Sequence, residues 1–333
     1  MEQRPLGVLS VSVIGLGCNQ LGTGACDEAT GIRVVREAFD AGITFFDTSD
    51  EYGRDYANPS DLTGWGGSEL VLGKALRGIR DEIVLATKFG PYGPMDLEAV
   101  SKIEPRSRAD RKGVRIAVEE CLSRLATDRI DLFQLHAPDL GVPLDETLGA
   151  LDELVAEGKV REIGCSNFDG PGLVEAATLA SAGGHRSFAS TQSALNLLSR
   201  RALADQLPAC EQLGMSFIPD IPLASGVLTG KYRRGEAAAP GTRIADQLSE
   251  DLQQRMLSEK AFDRVEALSG WAQDHGHTVL ELAFAWLLGH APVATVIAGA
   301  AKPGQAASNA AAGNWVLTPD EVAEVTAVVA AVG

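Results

Sequence analysis

The sequence predicts one domain, residues 1–333, folded as an α/β (β/α)8 TIM barrel of parallel strands with an N-terminal hairpin and an additional C-terminal helix. Two observations predict the barrel. Eight short apolar runs alternate with helical stretches along the chain, the pattern of a β/α repeat. Those runs are mostly apolar at consecutive positions, as expected of strands buried on both faces. A third observation disfavours a doubly wound nucleotide-binding sheet. "GLGCNQLG" (15–22) carries Gly-x-Gly but has Gln20 where the third fingerprint glycine is required.

The elements follow in order. "VSVIGLG" (11–17) reads as a strand ending in glycines, and "EATGIRVVREAFDAG" (28–42) as an amphipathic helix with Gly42 just past its end. "ITFFDT" (43–48) is a strand and "SELVLGKAL" (68–76) a short helix. "EIVLATK" (82–88), "IDLFQLH" (130–136) and "VREIGCS" (160–166) are strands, separated by helices over 111–125 and 144–159. A helix over 172–183 leads to the strand "SFASTQ" (187–192), and one over 201–214 to "MSFIPD" (215–220). A Gly- and Arg-containing stretch covers 224–250, and helical segments fill 255–289. The strand "VATVIAG" (293–299) and the helix "PGQAASNAAAG" (303–313) complete the repeat. The last helix opens at "TPDEV", where Thr318 suits the N-cap, Pro319 the first helical position and Glu321 the capping box.

Charge and cysteine content narrow the function. Against 29 Lys and Arg stand 45 Asp and Glu, a formal charge of −16. Such a surface repels phosphate backbones, so neither nucleic acid nor an anionic membrane is expected as a partner. No run of 18 apolar residues suggests a membrane span, and "MEQRPLGVLS" lacks the apolar core of a signal peptide. Five scattered cysteines without a CxxC fit reduced thiols and a cytoplasmic location. Cys18 and Cys165 read as small buried thiols. "HGH" (275–277) lacks further ligands and reads as a helix junction, so no metal is expected.

In a barrel of this class the active site lies at the C-terminal ends of the strands. There "GITFFDTSDEYG" (42–53) passes abruptly from a buried run to Asp47, Asp50, Glu51 and Tyr52. Lys88 and His136 end two later strands on the same rim. These residues make a chemical set. A phenol of pKa about 10 is a poor proton donor near neutrality, and a neighbouring ammonium lowers that value. Lys88 is the expected ammonium, Asp47 its counter-charge, and His136 a group that orients a substrate oxygen.

With these motifs in order, the sequence resembles the aldo-keto reductase superfamily over nearly its whole length. The resemblance rests on "GITFFDTSDEYG", "IVLATKFG", "DLFQLHAPD", "GKVREIGCSNF", "STQSALN", "IPLASGVLTGKY" and "VIAGAAKPGQAASN". It implies a carbonyl or alcohol substrate, NADP(H) bound without a Rossmann fold, and Tyr52 as general acid/base tuned by Lys88 and Asp47. It places the nicotinamide amide on Ser166, Asn167 and Gln192, with Gly17 and Asp220 on the same cleft. The pyrophosphate would lie under Pro222, Leu223, Ser225, Gly226, Leu228 and Lys231. The adenosine end would meet Gly299, Lys302, Gln305 and Asn309.

Three features depart from the family. Asp220 stands where many relatives have an aromatic ring stacked on the nicotinamide. An aspartate there favours the oxidised ring over the reduced one, unless it turns away to pair with a cation such as Arg243. The adenosine end has Lys302 as its one cation and Ser308 in place of a usual Glu. The link 53–67 is longer than in many relatives and offers Tyr56 and Trp65 as a substrate wall or lid. Two readings of function stand at this stage. One is an NADP(H)-dependent carbonyl–alcohol oxidoreductase, and the other is a barrel of the same family with a lost or altered redox role.

Overall fold

The computed structural model describes residues 1–54, 64–91 and 107–332. The chain opens with an antiparallel hairpin, β1 (Gln3–Leu6) and β2 (Leu9–Ser12), paired from Gln3↔Ser12 to Leu6↔Leu9. Gly7, at φ 55°, supplies the left-handed residue of its tight loop. The predicted strand over 11–17 is therefore two pieces. Val11 and Ser12 end the hairpin, and Ile14–Gly17 begins the barrel as β3. Leu6, Leu9 and Val11 bury against Phe45, Val84, Leu132 and Ile218, so the hairpin plugs one end of the barrel with apolar side chains.

Seven more strands follow: β4 (Phe45–Asp47), β5 (Val84–Phe89), β6 (Ile130–Leu135), β7 (Val160–Ser166), β8 (Ser190–Ala194), β9 (Ser216–Asp220) and β10 (Val296–Gly299). All neighbours pair in parallel, in the order β10-β3-β4-β5-β6-β7-β8-β9. A bridge between Phe217 and Val293 joins the two ends of that sheet. The eight-stranded parallel barrel expected from the sequence is thus the fold.

The outer layer contains α1 (Glu28–Asp40), α2 (Gly67–Ala75), α3 (Arg111–Leu125), α4 (Leu144–Ala156), α5 (Gly170–Gly183) and α6 (Gln206–Leu213). Aspartates start several of them: Asp27, Asp110 and Asp169 each accept a backbone N–H of the first turn. The stretch after β9 is a 3-10 turn, Ala224–Thr229, then two short helices, α7 (Arg243–Gln247) and α8 (Glu250–Met256). The helical region expected over 255–289 is two helices, α9 (Glu259–Asp274) and α10 (Val279–Leu288). They meet at the "HGH" junction, where His275 stacks on Trp271 at 3.8 Å and His277 on Trp315 at 3.9 Å. After α11 (Gln305–Ala312), α12 (Pro319–Ala331) begins with the expected Thr318–Glu321 capping box. Among the described residues no helix is long and apolar enough to cross a membrane.

Candidate active site

The parallel register carries four side chains to one rim. Asp47 ends β4, and Lys88 lies one residue from the end of β5. His136 follows β6, while Tyr52 sits on the turn after β4. Lys88 is wholly buried and donates to Asp47 Oδ2 at 2.6 Å, to the Thr48 carbonyl at 2.8 Å and to the Tyr52 hydroxyl at 3.4 Å. Asp47 Oδ1 accepts two amides as well, from Gln134 and Gln192, each at 3.1 Å. The imidazole of His136 stands edge-on to the Tyr52 ring, with centroids 5.7 Å apart. The four residues singled out in the sequence are thus brought together, in a chain from carboxylate to ammonium to phenol.

The electrostatics differ from expectation in one respect. Burial, then the charges of Asp47, Glu51 and Asp220, push the Tyr52 hydroxyl well above the usual phenol range. The sequence reading gave Lys88 the dominant effect, in the opposite direction. Desolvation of the phenolate and three facing carboxylates outweigh one ammonium that Asp47 already neutralises. Tyr52 is therefore a neutral O–H donor at rest. His136 is held well below the ordinary imidazole range by burial, then by Lys88 and Arg54, so it is neutral too.

The turn that carries Tyr52 is braced by buried ion pairs that the sequence did not disclose. Asp50 pairs with Arg108 at 2.7 Å, and burial pushes its carboxyl up to about 7 despite that partner. Glu51 pairs with Arg54 at 3.1 Å. Glu69, on α2, accepts from Arg124 and from Thr87, both at 2.6 Å. Arg54 lies 5.4 Å from the half-buried Trp65 ring. Tyr56 falls outside the described residues.

The residues assigned to the cofactor line a path away from this centre. Ser166 ends β7, and Asn167, at φ 61°, donates to its hydroxyl at 3.1 Å and to the His136 carbonyl at 2.9 Å. Gln192 spends its amide nitrogen on Asp47. Gly17 and Gly299 face each other across β3 and β10. Asp220 ends β9 half-buried, and among the described residues neither its Oδ1 nor the Nε of Arg243, both shut off from water, has a hydrogen-bond partner. The expected alternative, a direct pair between them, is not formed. Arg243 acts on Asp220 only through space, and burial raises the carboxyl to about 6.

Beyond Asp220 the backbone turns left-handed at Ile221, Ala224, Ser225 and Gly226. Three of these are not glycine, and such strain gathers at ligand-holding segments. Lys231 Nζ hangs over Gly226, where a Cβ would come within 2.7 Å of it. Lys302 lies close enough to depress the ammonium of Lys231 further, after burial. Two neighbouring cations beside a strained backbone fit an anionic pyrophosphate. Pro222 and Leu228 are buried beneath this segment, and Leu223 is half-buried. At the start of α11, Gln305 Oε1 accepts the Ala301 and Lys302 N–H groups at 2.9 and 3.0 Å. Asn309 is buried on the same helix. Glu37, missed in the sequence because it belongs to distant α1, accepts from the Gly304 N–H at 2.8 Å.

A sequence model of the Aldo/keto reductase family matches residues 13–330. The chain belongs to the aldo/keto reductase family. It is 36% identical to an uncharacterized oxidoreductase, YrpG, of Bacillus subtilis, over 89% of this chain and 85% of that one. It is 34% identical to a probable aldo-keto reductase 1 of Glycine max, over 88% and 78%. Among solved structures, it resembles the holo form of aldo-keto reductase AKR11C1 from Bacillus halodurans, with a TM-score of 0.76 and 29% identity over 98% and 96% of the chains. It also resembles the glycerol dehydrogenase AKR11B4 from Gluconobacter oxydans, with a TM-score of 0.79 and 26% identity over 99% and 95%. Membership makes this aldo/keto reductase an oxidoreductase of carbonyl and alcohol groups.

Proposed function

We propose that this aldo/keto reductase uses NADP(H) to interconvert a small-molecule carbonyl and its alcohol, with Tyr52 as general acid/base. One observation carries the reading: Tyr52, Lys88 and Asp47 form a connected chain at the rim, 3.4 and 2.6 Å between successive groups. When bound, the nicotinamide supplies or accepts the hydride. Ser166, Asn167 and Gln192 would hold its amide, Lys231 its pyrophosphate, and Lys302 its adenosine end. The chain's own part is proton handling and positioning. Tyr52 gives its proton to the oxygen that develops charge, Lys88 stabilises the phenolate left behind, and Asp47 keeps the lysine charged. A connected relay of this kind argues against a pure binding role. The test follows absorbance at 340 nm with aldehydes and alcohols, alongside binding of NADPH, NADP⁺, NADH and NAD⁺ by tryptophan quenching. Binding without turnover of any substrate would favour the cofactor-sensing reading.

Asp220 sets the sign of a second expectation. Its carboxyl is neutral below about pH 6 and charged above it. The charge stabilises a positively charged, oxidised ring and not a neutral, reduced one. Preference for NADP⁺ over NADPH should therefore rise by about tenfold as pH passes upward through that value, the effect of one charge at about 10 Å in an effective dielectric of about 20. Asp220→Asn should flatten the dependence, and Asp220→Tyr should tighten NADPH. Titrations at pH 5 and pH 8 check this, and a flat wild-type ratio refutes it.

A further inference from the structure

The start of α11 is capped by a carboxylate from another helix. Gly304 precedes α11 in left-handed backbone, at φ 84°, and has no side chain to cap it. Two other residues supply the acceptors. Gln305 Oε1 takes the Ala301 and Lys302 N–H groups. Glu37 Oε2, reaching across from α1, takes the Gly304 N–H at 2.8 Å. Glu37 is half-buried, and among the described residues its Oε1 has no hydrogen-bond partner and no cation forms an ion pair with it. Lys302 Nζ, on the same turn, is directed at the Gly241 carbonyl, 3.4 Å away. Asn309, one turn into the helix, is 7% exposed, and among the described residues its side-chain amide makes no hydrogen bond either. A buried amide without a partner is rare in a finished fold, and it marks ground where a ligand completes the bonding.

We infer that Glu37 is a specificity-determining residue whose carboxylate opposes the 2′-phosphate of NADP(H), so that the site selects NADP(H) over NAD(H) only weakly. This rests on the reading that seats the adenosine end at Lys302, Gln305 and Asn309.

The two nucleotides differ only at the 2′ position of the adenosine ribose, a hydroxyl in one and a phosphate in the other. A carboxylate only accepts hydrogen bonds. A hydroxyl can donate to the open Oε1, as the ribose 2′-hydroxyl does to an acidic residue in Rossmann folds. A phosphate brings only acceptor oxygens and a charge of about −1.5 to −2. It competes with Glu37 for the N–H groups at the helix start and is repelled by it. Gln305 differs, because it is neutral. Passing its two N–H groups to a phosphate exchanges one set of hydrogen bonds for another with little net change.

The positive end of α11 and the Lys302 ammonium favour the phosphate. Both are weakened here. The helix has only eight residues, with three N–H groups at its start already taken, and Lys302 is shared with Gly241. One unpaired carboxylate acts at the same range as these attractions and with the opposite sign. The two effects therefore nearly cancel.

Calorimetric titration of NADPH and NADH into the full chain reads the selectivity, with NADH as the control that lacks the phosphate. The wild type should favour NADPH by less than about tenfold. Glu37→Gln keeps an acceptor for the Gly304 N–H and removes the charge. It should tighten NADPH by about tenfold and leave NADH within about threefold. That gain should shrink by more than half between about 0.05 and 0.5 M salt, because a half-buried charge is partly screened. Glu37→Arg should widen the preference further. A wild-type preference for NADPH above about 10³, or a ratio unmoved by Glu37→Gln, overturns the inference. So does an equal shift of both nucleotides, which is what a purely structural cap would give. If the wild type binds NADH alone and Glu37→Gln gains NADPH, the NADP(H) reading of this chain fails while the role of Glu37 stands.

Discussion

Tyr52→Phe should lower kcat for carbonyl reduction by about 10²–10⁴, the usual worth of a positioned general acid, and leave nicotinamide affinity and Tm close to wild type. The ring stays, so its edge contact with His136 at 5.7 Å is kept. What disappears is a buried hydroxyl whose partner, Lys88, retains Asp47 and the Thr48 carbonyl. The folded state thus loses little, and the transition state loses its proton donor. The pH profile sharpens the test. Burial and three neighbouring acids raise the Tyr52 hydroxyl well above the phenol range. The wild-type reduction rate should then show no Tyr52 titration up to about pH 10, the ordinary phenol pKa. A limb near pH 7 that vanishes in Tyr52→Phe would contradict a resting neutral tyrosine. Stopped-flow absorbance across pH, with circular dichroism to verify folding, decides it.

Strand order and rim residues were legible because each is a local signal. A buried strand reads as a run of apolar residues, and the first polar residue after the run marks the rim. Asp47, Lys88 and His136 were found that way. Partnerships between distant residues were not legible. Gln134 and Gln192 lie 87 and 145 positions from the Asp47 they both serve. Arg108 is 58 residues from Asp50. Nothing in a stretch of sequence says which Arg will meet which acid. The split at Val13 was hidden for another reason. Val11 and Val13 share the apolar, β-branched character of Ile14 in the strand that follows, and Ser12 between them is too small to mark a break, so no residue type shows where one sheet ends and the next begins. Between Ile221 and Gly226 the failure is conformational, because Ile221, Ala224 and Ser225 take left-handed backbone that their side chains disfavour. Tertiary context sets that shape, and the local sequence gives no warning of it.

Lys88→Met should produce the largest loss of stability in the active site, about 3–5 kcal/mol, the cost of leaving one member of a buried ion pair alone. Lys88 is 0% exposed and Asp47 1%. In the variant, Asp47 keeps two amide donors, from Gln134 and Gln192, but no cation. The cost is electrostatic rather than steric, since methionine fills most of the same volume. Lys88→Met combined with Asp47→Asn removes both charges and should recover most of the loss. Asp47→Asn alone, which strands the ammonium, should not. Urea unfolding of the three variants at neutral pH separates these cases. Equal destabilisation by Lys88→Met and by the double variant would show that the pair adds nothing beyond packing. Activity should follow a different order. Every variant lacking Lys88 loses the cation that stabilises the Tyr52 phenolate, so the double variant should fold well and still turn over poorly. That divergence between stability and rate is what an ion pair retained for chemistry, and not for folding, requires.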